Sequence, residues 1–276
     1  MSVASEITRK AKSNLAFALK ILPRERREDM VIFYAFCRTM DDLADNPGMP
    51  LENRVELLNQ WKNGLLSGFA EPDEFQSEVI GLRDRHRIPN DLLAAIIDGC
   101  QMDVHPQRFG TWQDLSDYIW KVACAVGLVS IRLFGCEDPG SERYAVALGH
   151  ALQLTNILRD IAEDLTNGRR IYLPLADLAQ FGYTEQDLID HVRDERFLNL
   201  MAFEAERAEG FFREAAAALP AGDQAALVPA RIMGEIYHVL LEKMGSGHFD
   251  VFKKRYSVSK ARKLAILSKH LIARSS

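Results

Sequence analysis

Residues 33–45 read FYAFCRTMDDLAD, a stretch in which polar and apolar positions follow the period of an α-helix. On such a helix one polar stripe contains residues four, three and four positions apart, namely Tyr34, Arg38, Asp41 and Asp45. The adjoining arc is wider and apolar, and it contains Phe33, Phe36, Cys37, Met40, Leu43 and Ala44. Carboxylates four residues apart repel one another by about 0.2–0.5 kcal/mol on an isolated helix. The segment therefore predicts a helix whose acidic face serves something other than helix stability.

A similar stripe returns in residues 151–174, ALQLTNILRDIAEDLTNGRRIYLP. Its polar positions are Gln153, Asn156, Asp160 and Asp164, with Glu163 at the edge. The positions predicted to be buried are Leu154, Ile157, Leu158, Ile161 and Leu165. The chain thus presents the same helical pattern twice.

An acidic stripe on a helix is most often a solvated surface, but two features favour another interpretation here. Each stripe combines its acids with short amides, an arginine or a tyrosine, whereas solvated faces typically mix glutamate and lysine. Both stripes also adjoin nearly continuous apolar sequence. We therefore predict that the two stripes form walls of a cavity.

The composition indicates a globular, helical protein. The 276 residues are 47% hydrophobic and 26% charged, which allows a sizeable core. No segment shows the alternation of β-branched residues that is typical of strands, and prolines mostly separate segments of helical periodicity. We predict a single all-α domain over residues 1–276. The predicted helices span 24–45, 51–67, 90–104, 111–134, 141–166, 195–218, 222–245 and 259–272.

The charge is distributed unevenly. The net charge of −5 excludes a generally basic nucleic-acid binder. Residues 251–276, however, carry eight Lys or Arg and no acid, so this basic tail predicts an anionic partner. Either Lys253, Lys254 and Arg255 close over a diphosphate, or the 259–272 helix makes a peripheral contact with a membrane surface. A terminal helix packed on the body is the default interpretation.

Other signals are weak or absent. The four cysteines form no CxxC pair, which favours reduced thiols in a cytoplasmic protein. The seven histidines show no HExxH spacing, so a zinc site is not expected. The longest uncharged apolar run, residues 122–131, is about half of what spans a bilayer. We expect a cytoplasmic protein that is peripheral to a membrane at most.

Two facing acidic stripes match the chemistry of a diphosphate substrate. A carboxylate cannot bind a diphosphate directly, because both are negative. Mg²⁺ can bridge them, since it typically takes one or two carboxylates together with phosphate oxygens and water. Several such ions would stabilise a departing diphosphate as Lewis acids. The carbocation left behind would need an apolar cavity that excludes water.

At these residues the chain resembles the squalene/phytoene synthase family, the head-to-head prenyl synthases. The matching segments are YAFCRTMDDLAD (34–45), DYIWKVACAVGLVSIRLFG (117–135) and QLTNILRDIAEDLTNGRRIYLP (153–174). Weaker similarity continues through LLAAIIDGCQMDV (92–104) and ARIMGEIYHVLLEKM (230–244). The double acidic motif, in this order and at this separation, is highly specific. The resemblance implies a single-domain, isoprenoid-synthase-type helical bundle around a central cavity.

The resemblance also implies individual roles. The implied catalytic and magnesium-binding residues are Asp41, Asp42 and Asp45 in the first motif, and Asn156, Asp160 and Asp164 in the second. The residues implied to contact diphosphate or to support the metal ligands are Ser13, Tyr34, Arg38, Gln153 and Arg159. Two further catalytic positions, with aromatic hydroxyls near the reacting carbons, are Tyr118 and Tyr237. Magnesium, with several ions bound, is the implied cofactor.

Some positions depart from the family pattern. The family often shows Ser-x-Ser-Phe near the N-terminus, whereas residues 12–17 read KSNLAF, with Ser13 as the candidate diphosphate contact. Cys124 stands where a glycine is common, and a small residue is thereby kept. Asp98 and Asp103, which flank Gly99, are interpreted as structural polar residues.

The working hypothesis is a presqualene diphosphate synthase of the squalene and hopanoid pathways, which joins two farnesyl diphosphates. A phytoene synthase acting on two geranylgeranyl diphosphates would use the same chemistry. A full squalene synthase would add a reduction by NADPH, which is not expected here. The missing GxGxxG fingerprint leaves NADPH open, because family members that use it also lack the fingerprint. A non-catalytic assembly protein would be expected to lose the acidic stripes, and both are intact.

Overall fold

A computed structural model describes residue 4, residues 21–105 and residues 107–275, without the side chains of 273–275. That part of the chain contains twelve α-helices and no strand, which confirms the predicted all-α class. The helices are α1 (Arg24–Asp45), α2 (Leu51–Ser67), α3 (Glu74–Arg85), α4 (Asn90–Val104), α5 (Trp112–Ile119), α6 (Ala125–Phe134), α7 (Gly140–Thr166), α8 (Leu175–Gln180), α9 (Glu185–Ile189), α10 (Glu195–Ala218), α11 (Val228–Ser246) and α12 (Lys260–Ser275).

Local signals explain where several helices begin. Prolines stand immediately before α1, α2, α4 and α8, where their fixed φ and missing N–H do not interrupt a helix. The Asp194 carboxylate caps α10 by accepting from the backbone N–H of Arg196 and of Phe197. The predicted bounds 24–45, 51–67, 90–104 and 195–218 agree with the observed helices.

The apolar stripes predicted on α1 and α7 lie in the core. Phe36 and Met40 of α1 and Leu154 and Leu158 of α7 are fully buried. Helix α7 packs most extensively against α10, and α1 packs against α2, α3, α4 and α6. Helix α4 contacts both α1 and the helical turn after α5, which in turn contacts α7. The two acid-bearing helices are thereby held on either side of α4 and this turn.

Two predicted helices differ from the structure. The 111–134 segment is interrupted by a π-helical turn over Trp120–Cys124, which separates α5 from α6. The helix predicted over 222–245 begins too early, because Asp223 lies in a turn and its side chain caps another part of the chain. Its carboxylate accepts from the backbone N–H of Glu137 and Asp138 and from the Ser141 hydroxyl, the last at 2.7 Å. Asp223 therefore belongs to a turn that ties down the start of α7, and α11 begins at Val228.

Three helices were not predicted, namely α3, α8 and α9. Helix α3 has a capping box in which Asp73 and Gln76 exchange side-chain and backbone hydrogen bonds. That signal was present in the sequence. All four cysteines are free thiols. Within the described ranges, no helix combines the length and hydropathy needed to cross a bilayer.

Candidate active site

The first acidic stripe lies at the C-terminal half of α1. The Arg38 guanidinium donates to Asp41 at 2.9 Å and lies 2.5 Å from Asp42. Burial, and then the neighbouring Asp45 carboxylate, raise the pKa of Asp41 to about 6. The Asp41 side chain is nevertheless half-exposed, so this carboxylate lies in a recess that solvent reaches. Tyr34, one turn earlier, is partly buried.

The second stripe lies on α7 and is paired with two arginines. Asp160 accepts from Arg159 at 2.8 Å and from Arg255 at 2.9 Å, and Arg255 also lies 3.0 Å from Glu163. Burial would raise the pKa of Asp160, but the two arginines lower it below its usual value. Asp164 has no such pair, and burial followed by the Asp160 charge raises its pKa to about 7.

A single residue, Arg170, joins the two stripes. Its backbone N–H donates to the Asp164 carbonyl at 2.9 Å, just beyond the end of α7. Its guanidinium donates to the Asp45 carboxylate at 2.5 Å and to the Asp103 carbonyl at 3.0 Å. The chain reverses here through Gly168 and Arg169, whose φ angles are 81° and 56°. Arg170 therefore contacts both motifs, through the carboxylate of Asp45 and the backbone carbonyl of Asp164.

Asp103, at the end of α4, lies beside the Arg170 bridge and contacts two tyrosines. Its carboxylate accepts from the Tyr118 hydroxyl at 2.7 Å and from the Tyr172 hydroxyl at 2.8 Å, and the two tyrosine rings stack. Burial raises the pKa of Asp103 in spite of these hydrogen bonds. The sequence interpretation gave Asp103 only a structural role, but the structure places it at the site. Asp98 instead pairs with Lys62 at 2.6 Å, away from the motifs.

The two predicted catalytic tyrosines lie at opposite ends of this arrangement. Tyr118 is buried, and burial raises its pKa well above the ordinary value, so its hydroxyl remains a hydrogen-bond donor. It lies one residue before the last residue of α5, next to the π-helical turn, a feature frequent at functional sites. Tyr237, on α11, lies near Arg159 beside the second stripe and interacts with it electrostatically.

The amide pair on α7 has an unusual feature. Asn156 donates to Gln153 through a long 3.4 Å contact. The side-chain oxygen of Asn156 is buried and has no hydrogen-bond partner in the described part of the chain. A buried, unpaired oxygen is costly unless a ligand satisfies it. Because this atom lies one helical turn before Asp160, it fits the oxygen-rich donor set of a hard divalent cation.

No preformed metal site exists in the described ranges, because no three His, Cys, Asp or Glu side chains are grouped to hold an ion. Instead, arginine side chains form ion pairs with the carboxylates of Asp45 and Asp160. Beside Asp45 of the first stripe lies a cavity of about 620 Å³. Its lining combines residues from the ends of α1, α4 and α7, namely Asp45, Pro47, Arg54, Asp103, Val104, Thr166, Asn167, Gly168 and Arg170.

Most of the predicted site residues are thus brought to two facing helices. Ser13 lies outside the described residues. The sequence did not single out Arg170 or Tyr172, and it assigned Asp103 only a structural role. One signal pointed to Arg170, because a glycine and two arginines directly follow the second motif.

Comparisons with known proteins agree with this geometry. Residues 8–262 match the squalene/phytoene synthase family. The chain is 33% identical to a 15-cis-phytoene synthase of Synechococcus elongatus over 276 residues, covering 95% of this chain and 89% of that protein. It is 35% identical to a presqualene diphosphate synthase of Rhodopseudomonas palustris over 263 residues, covering 94% and 93%.

Solved structures show the same architecture. A dehydrosqualene synthase in complex with a ligand superposes with a TM-score of 0.82 at 26% identity, covering 98% of this chain and 94% of that one. The squalene synthase HpnC from Alicyclobacillus acidocaldarius superposes with a TM-score of 0.79 at 25% identity, covering 90% and 93%.

Proposed function

We propose that this chain, which belongs to the squalene/phytoene synthase family, joins two farnesyl diphosphates head to head in a Mg²⁺-dependent reaction that gives presqualene diphosphate. Family membership confirms the resemblance drawn from the sequence and makes the chain a prenyltransferase of this type. The observation that carries the proposal is the Arg170 bridge, because Arg170 bonds to the Asp45 carboxylate and to the Asp164 carbonyl and so joins the two motifs beside the cavity.

The residues around the cavity fit magnesium and diphosphate together. The proposed ligands are Asp41, Asp42, Asp45, Asn156, Asp160 and Asp164. When bound there, Mg²⁺ would supply Lewis-acid neutralisation of the departing diphosphate. The carboxylate oxygens are hard donors, and the unpaired Asn156 oxygen supports the assignment. Burial and neighbouring carboxylates raise the pKa values of Asp41 and Asp164. A bound cation would neutralise these carboxylates and remove the repulsion between them.

The arginines now paired with these acids are the proposed diphosphate contacts. Arg38, Arg159 and Arg255 each donate to a motif carboxylate. A guanidinium presents a planar fork that suits phosphate oxygens as well as carboxylates. Once a cation neutralises the carboxylates, we expect these side chains to turn towards the diphosphate. Arg255, on the basic tail, supports the sequence hypothesis that this segment closes over the substrate.

The final proton loss closes the cyclopropane, and its acceptor is either the released diphosphate or Tyr118. We favour the diphosphate. To accept the proton, a neutral Tyr118 would have to give up its own hydroxyl proton, which it donates to Asp103. Its raised pKa opposes that loss at neutral pH. Tyr118 and Tyr237 are proposed to orient the reacting carbons, while the apolar surroundings exclude water from the cation.

A second candidate is a phytoene synthase, which would join two geranylgeranyl diphosphates. Relatives from Synechococcus elongatus and Arthrospira platensis that carry this name are each 33% identical to the chain. The presqualene relative at 35% supports the shorter substrate. No observation favours a reduction by NADPH.

A product assay tests the proposal. Purified protein and Mg²⁺ would be incubated with farnesyl or geranylgeranyl diphosphate, with and without NADPH, and the extracts identified by mass spectrometry. A C30 cyclopropyl diphosphate that NADPH leaves unchanged is the expected product. A C40 hydrocarbon would replace the proposal with phytoene synthesis, and squalene formed only with NADPH would replace it with squalene synthesis. No turnover of either substrate would contradict both the reaction and the metal assignment.

A further inference from the structure

The C-terminal helix α12 is attached to the body by one face only. Ile266 and His270 on this face are buried, and the helix packs against α11. Glu235 of α11 lies 2.9 Å from the His270 ring and accepts from Lys269 at 3.0 Å. These contacts fix which side of α12 points away from the protein.

The opposite face of α12 is apolar and exposed. Leu264, Leu271 and Ile272 have 54%, 39% and 68% of their surface exposed. At 100° per residue they fall on one side of the helix. The positions between them on this face are also exposed, namely Ala261, Ala265 and Ser268. Of the seven exposed large hydrophobic residues in the described part of the chain, three lie here, which marks a concentrated patch rather than scattered surface residues.

Basic side chains border this patch on both sides. Lys260 lies along one edge, while Arg262 and Lys269 lie along the other, and all three are exposed. Residues 251–276 contain no acid, whereas the remaining residues carry 39 acidic and 26 basic side chains. The patch is therefore positive on a negative protein. Only an anionic surface would be complementary to both its apolar centre and its charged border.

We infer that α12 docks the protein on the surface of an anionic lipid bilayer. In this arrangement the helix lies in the membrane plane, with Leu264, Leu271 and Ile272 entering the headgroup region. Lys260 and Arg262 of the basic border pair with lipid phosphates, whereas Lys269 is paired with Glu235. A second copy of the chain is a poorer occupant, because a symmetric contact through α12 would bring two like-charged borders together.

The docking helix is connected to the candidate active site by a short segment. Arg255, five residues before α12, contacts Asp160 and Glu163. The intervening Tyr256 and Val258 are buried, so the segment is packed rather than loose. Membrane contact by α12 would thus restrain the position of the segment that bears Arg255. The docking itself does not depend on the proposed reaction, and the two can fail separately.

Vesicle co-sedimentation of the full chain tests the inference. Binding is expected to phosphatidylglycerol-containing vesicles, with little binding to pure phosphatidylcholine, and to weaken as salt rises. A patch variant combines Leu264→Ser, Leu271→Ser and Ile272→Ser, and we expect it to bind at least about tenfold more weakly. The matched control combines Leu51→Ser, Leu66→Ser and Ile189→Ser, three exposed hydrophobic residues elsewhere, and should bind like the wild type.

A charge variant separates the two contributions. Lys260→Glu with Arg262→Glu should abolish the preference for anionic vesicles while far-UV circular dichroism stays unchanged. Equal sedimentation of the patch variant and the wild type would overturn the inference, as would equal binding to both lipids. A concentration-dependent dimer that the patch variant loses would assign the face to a second copy instead.

Discussion

Two regions of this molecule gather acids around one arginine. At the candidate site, Arg170 donates to the Asp45 carboxylate and to the Asp103 carbonyl. In a second cluster, Arg207 donates to Asp177 at 2.8 Å and to Glu204 at 2.6 Å. Both clusters join helices that are distant in the chain. Both consist of an arginine and acidic residues, so residue composition alone does not distinguish them.

What separates them is access. Arg207 is covered by the rings of Trp112 and Phe203, which lie 4.5 and 4.7 Å from the guanidinium carbon. Glu204 is completely buried, and one of its carboxyl oxygens has no partner among the described residues. The Arg170 cluster borders a cavity of about 620 Å³. A hydrated cation can therefore reach the first cluster and not the second.

The two clusters also differ in how the negative charge of their buried carboxylates is neutralised. Burial, opposed by Arg207, raises the pKa of Glu204 to about 8, so this side chain can take a proton. Asp41 and Asp164 are crowded by neighbouring carboxylates as well as by burial. Because Asp41 is half-exposed and Asp164 lines a cleft, a divalent cation can neutralise these carboxylates as a proton neutralises Glu204. The comparison predicts that mutations in one cluster affect catalysis and those in the other affect stability.

The largest effect is expected from Asp160→Asn. Removing this proposed ligand takes away Lewis-acid stabilisation that is worth several kcal/mol. We expect kcat/KM to fall by at least about 1,000-fold, or about 4 kcal/mol. Far-UV circular dichroism should change little, while the lost ion pairs with Arg159 and Arg255 lower the melting temperature. Steady-state assays at saturating Mg²⁺, beside thermal unfolding, provide the measurement.

The matched change in the sealed cluster is Asp177→Asn, which removes a carboxylate from Arg207 without approaching the cavity. Its activity should stay within about twofold of the wild type, while the loss of a buried ion pair lowers the melting temperature. If Asp160→Asn kept more than a few per cent of activity, the metal assignment would be wrong. If Asp177→Asn lost activity without losing stability, the two clusters would not differ as argued.

A smaller effect is expected from Asp103→Asn. Each carboxylate oxygen of Asp103 accepts one hydrogen bond, from Tyr118 or from Tyr172. In asparagine one of these oxygens becomes an NH₂ group, which cannot accept, so one of the two hydrogen bonds is lost. Loss of such a supporting contact typically costs about 10–100-fold. We expect the loss mainly in kcat, because Tyr118 would be misplaced rather than substrate binding removed.

Asp98→Asn is the control for this change, since Asp98 lies on the same helix but pairs with Lys62. It should leave kcat within about twofold of the wild type, in keeping with its distance from the motifs. Equal effects of the two substitutions would return Asp103 to the structural role that the sequence first suggested.

These residues show what the sequence could and could not predict. The helical stripes of α1 and α7 were predictable because each depends on spacing within one helix. Arg170 and Asp103 were missed because their contact joins residues 67 positions apart through a left-handed turn. The π-helical turn after Tyr118 was missed for another reason. It changes hydrogen-bond register without any change of composition, so helical periodicity over 111–134 conceals it.

The second cluster could not be predicted, because its sequence looks like a surface. Glu204 and Arg207 lie in MAFEAERAEG, where acids and an arginine three residues apart are typical of a solvated helix face. Both are in fact covered by α8 and by aromatic rings. Long-range packing decides this, and no local pattern reports it.

The smallest effect on activity is expected at Glu204, where the predicted change is a pH dependence of stability. Its pKa is raised in the folded state relative to about 4.3 in an unfolded chain. Between these values the folded state holds a proton that the unfolded state releases. The free energy of unfolding therefore falls as pH rises from about 5 to 8. Glu204→Gln keeps a neutral side chain of the same shape and removes this contribution.

We expect the stability of Glu204→Gln relative to the wild type to rise by about 3 kcal/mol between pH 5 and pH 8, since each pH unit over which only the folded state holds the proton costs the wild type about 1.4 kcal/mol. Near pH 5 the two proteins should melt together or the variant should be slightly less stable. Adding Mg²⁺ sharpens the comparison. It should reduce the pH dependence that comes from Asp41 and Asp164 and leave the Glu204 contribution unchanged, because no cation reaches the sealed cluster. A stability difference that is equal at both pH values would show that Glu204 is ionised throughout and that Arg207 alone balances the cluster.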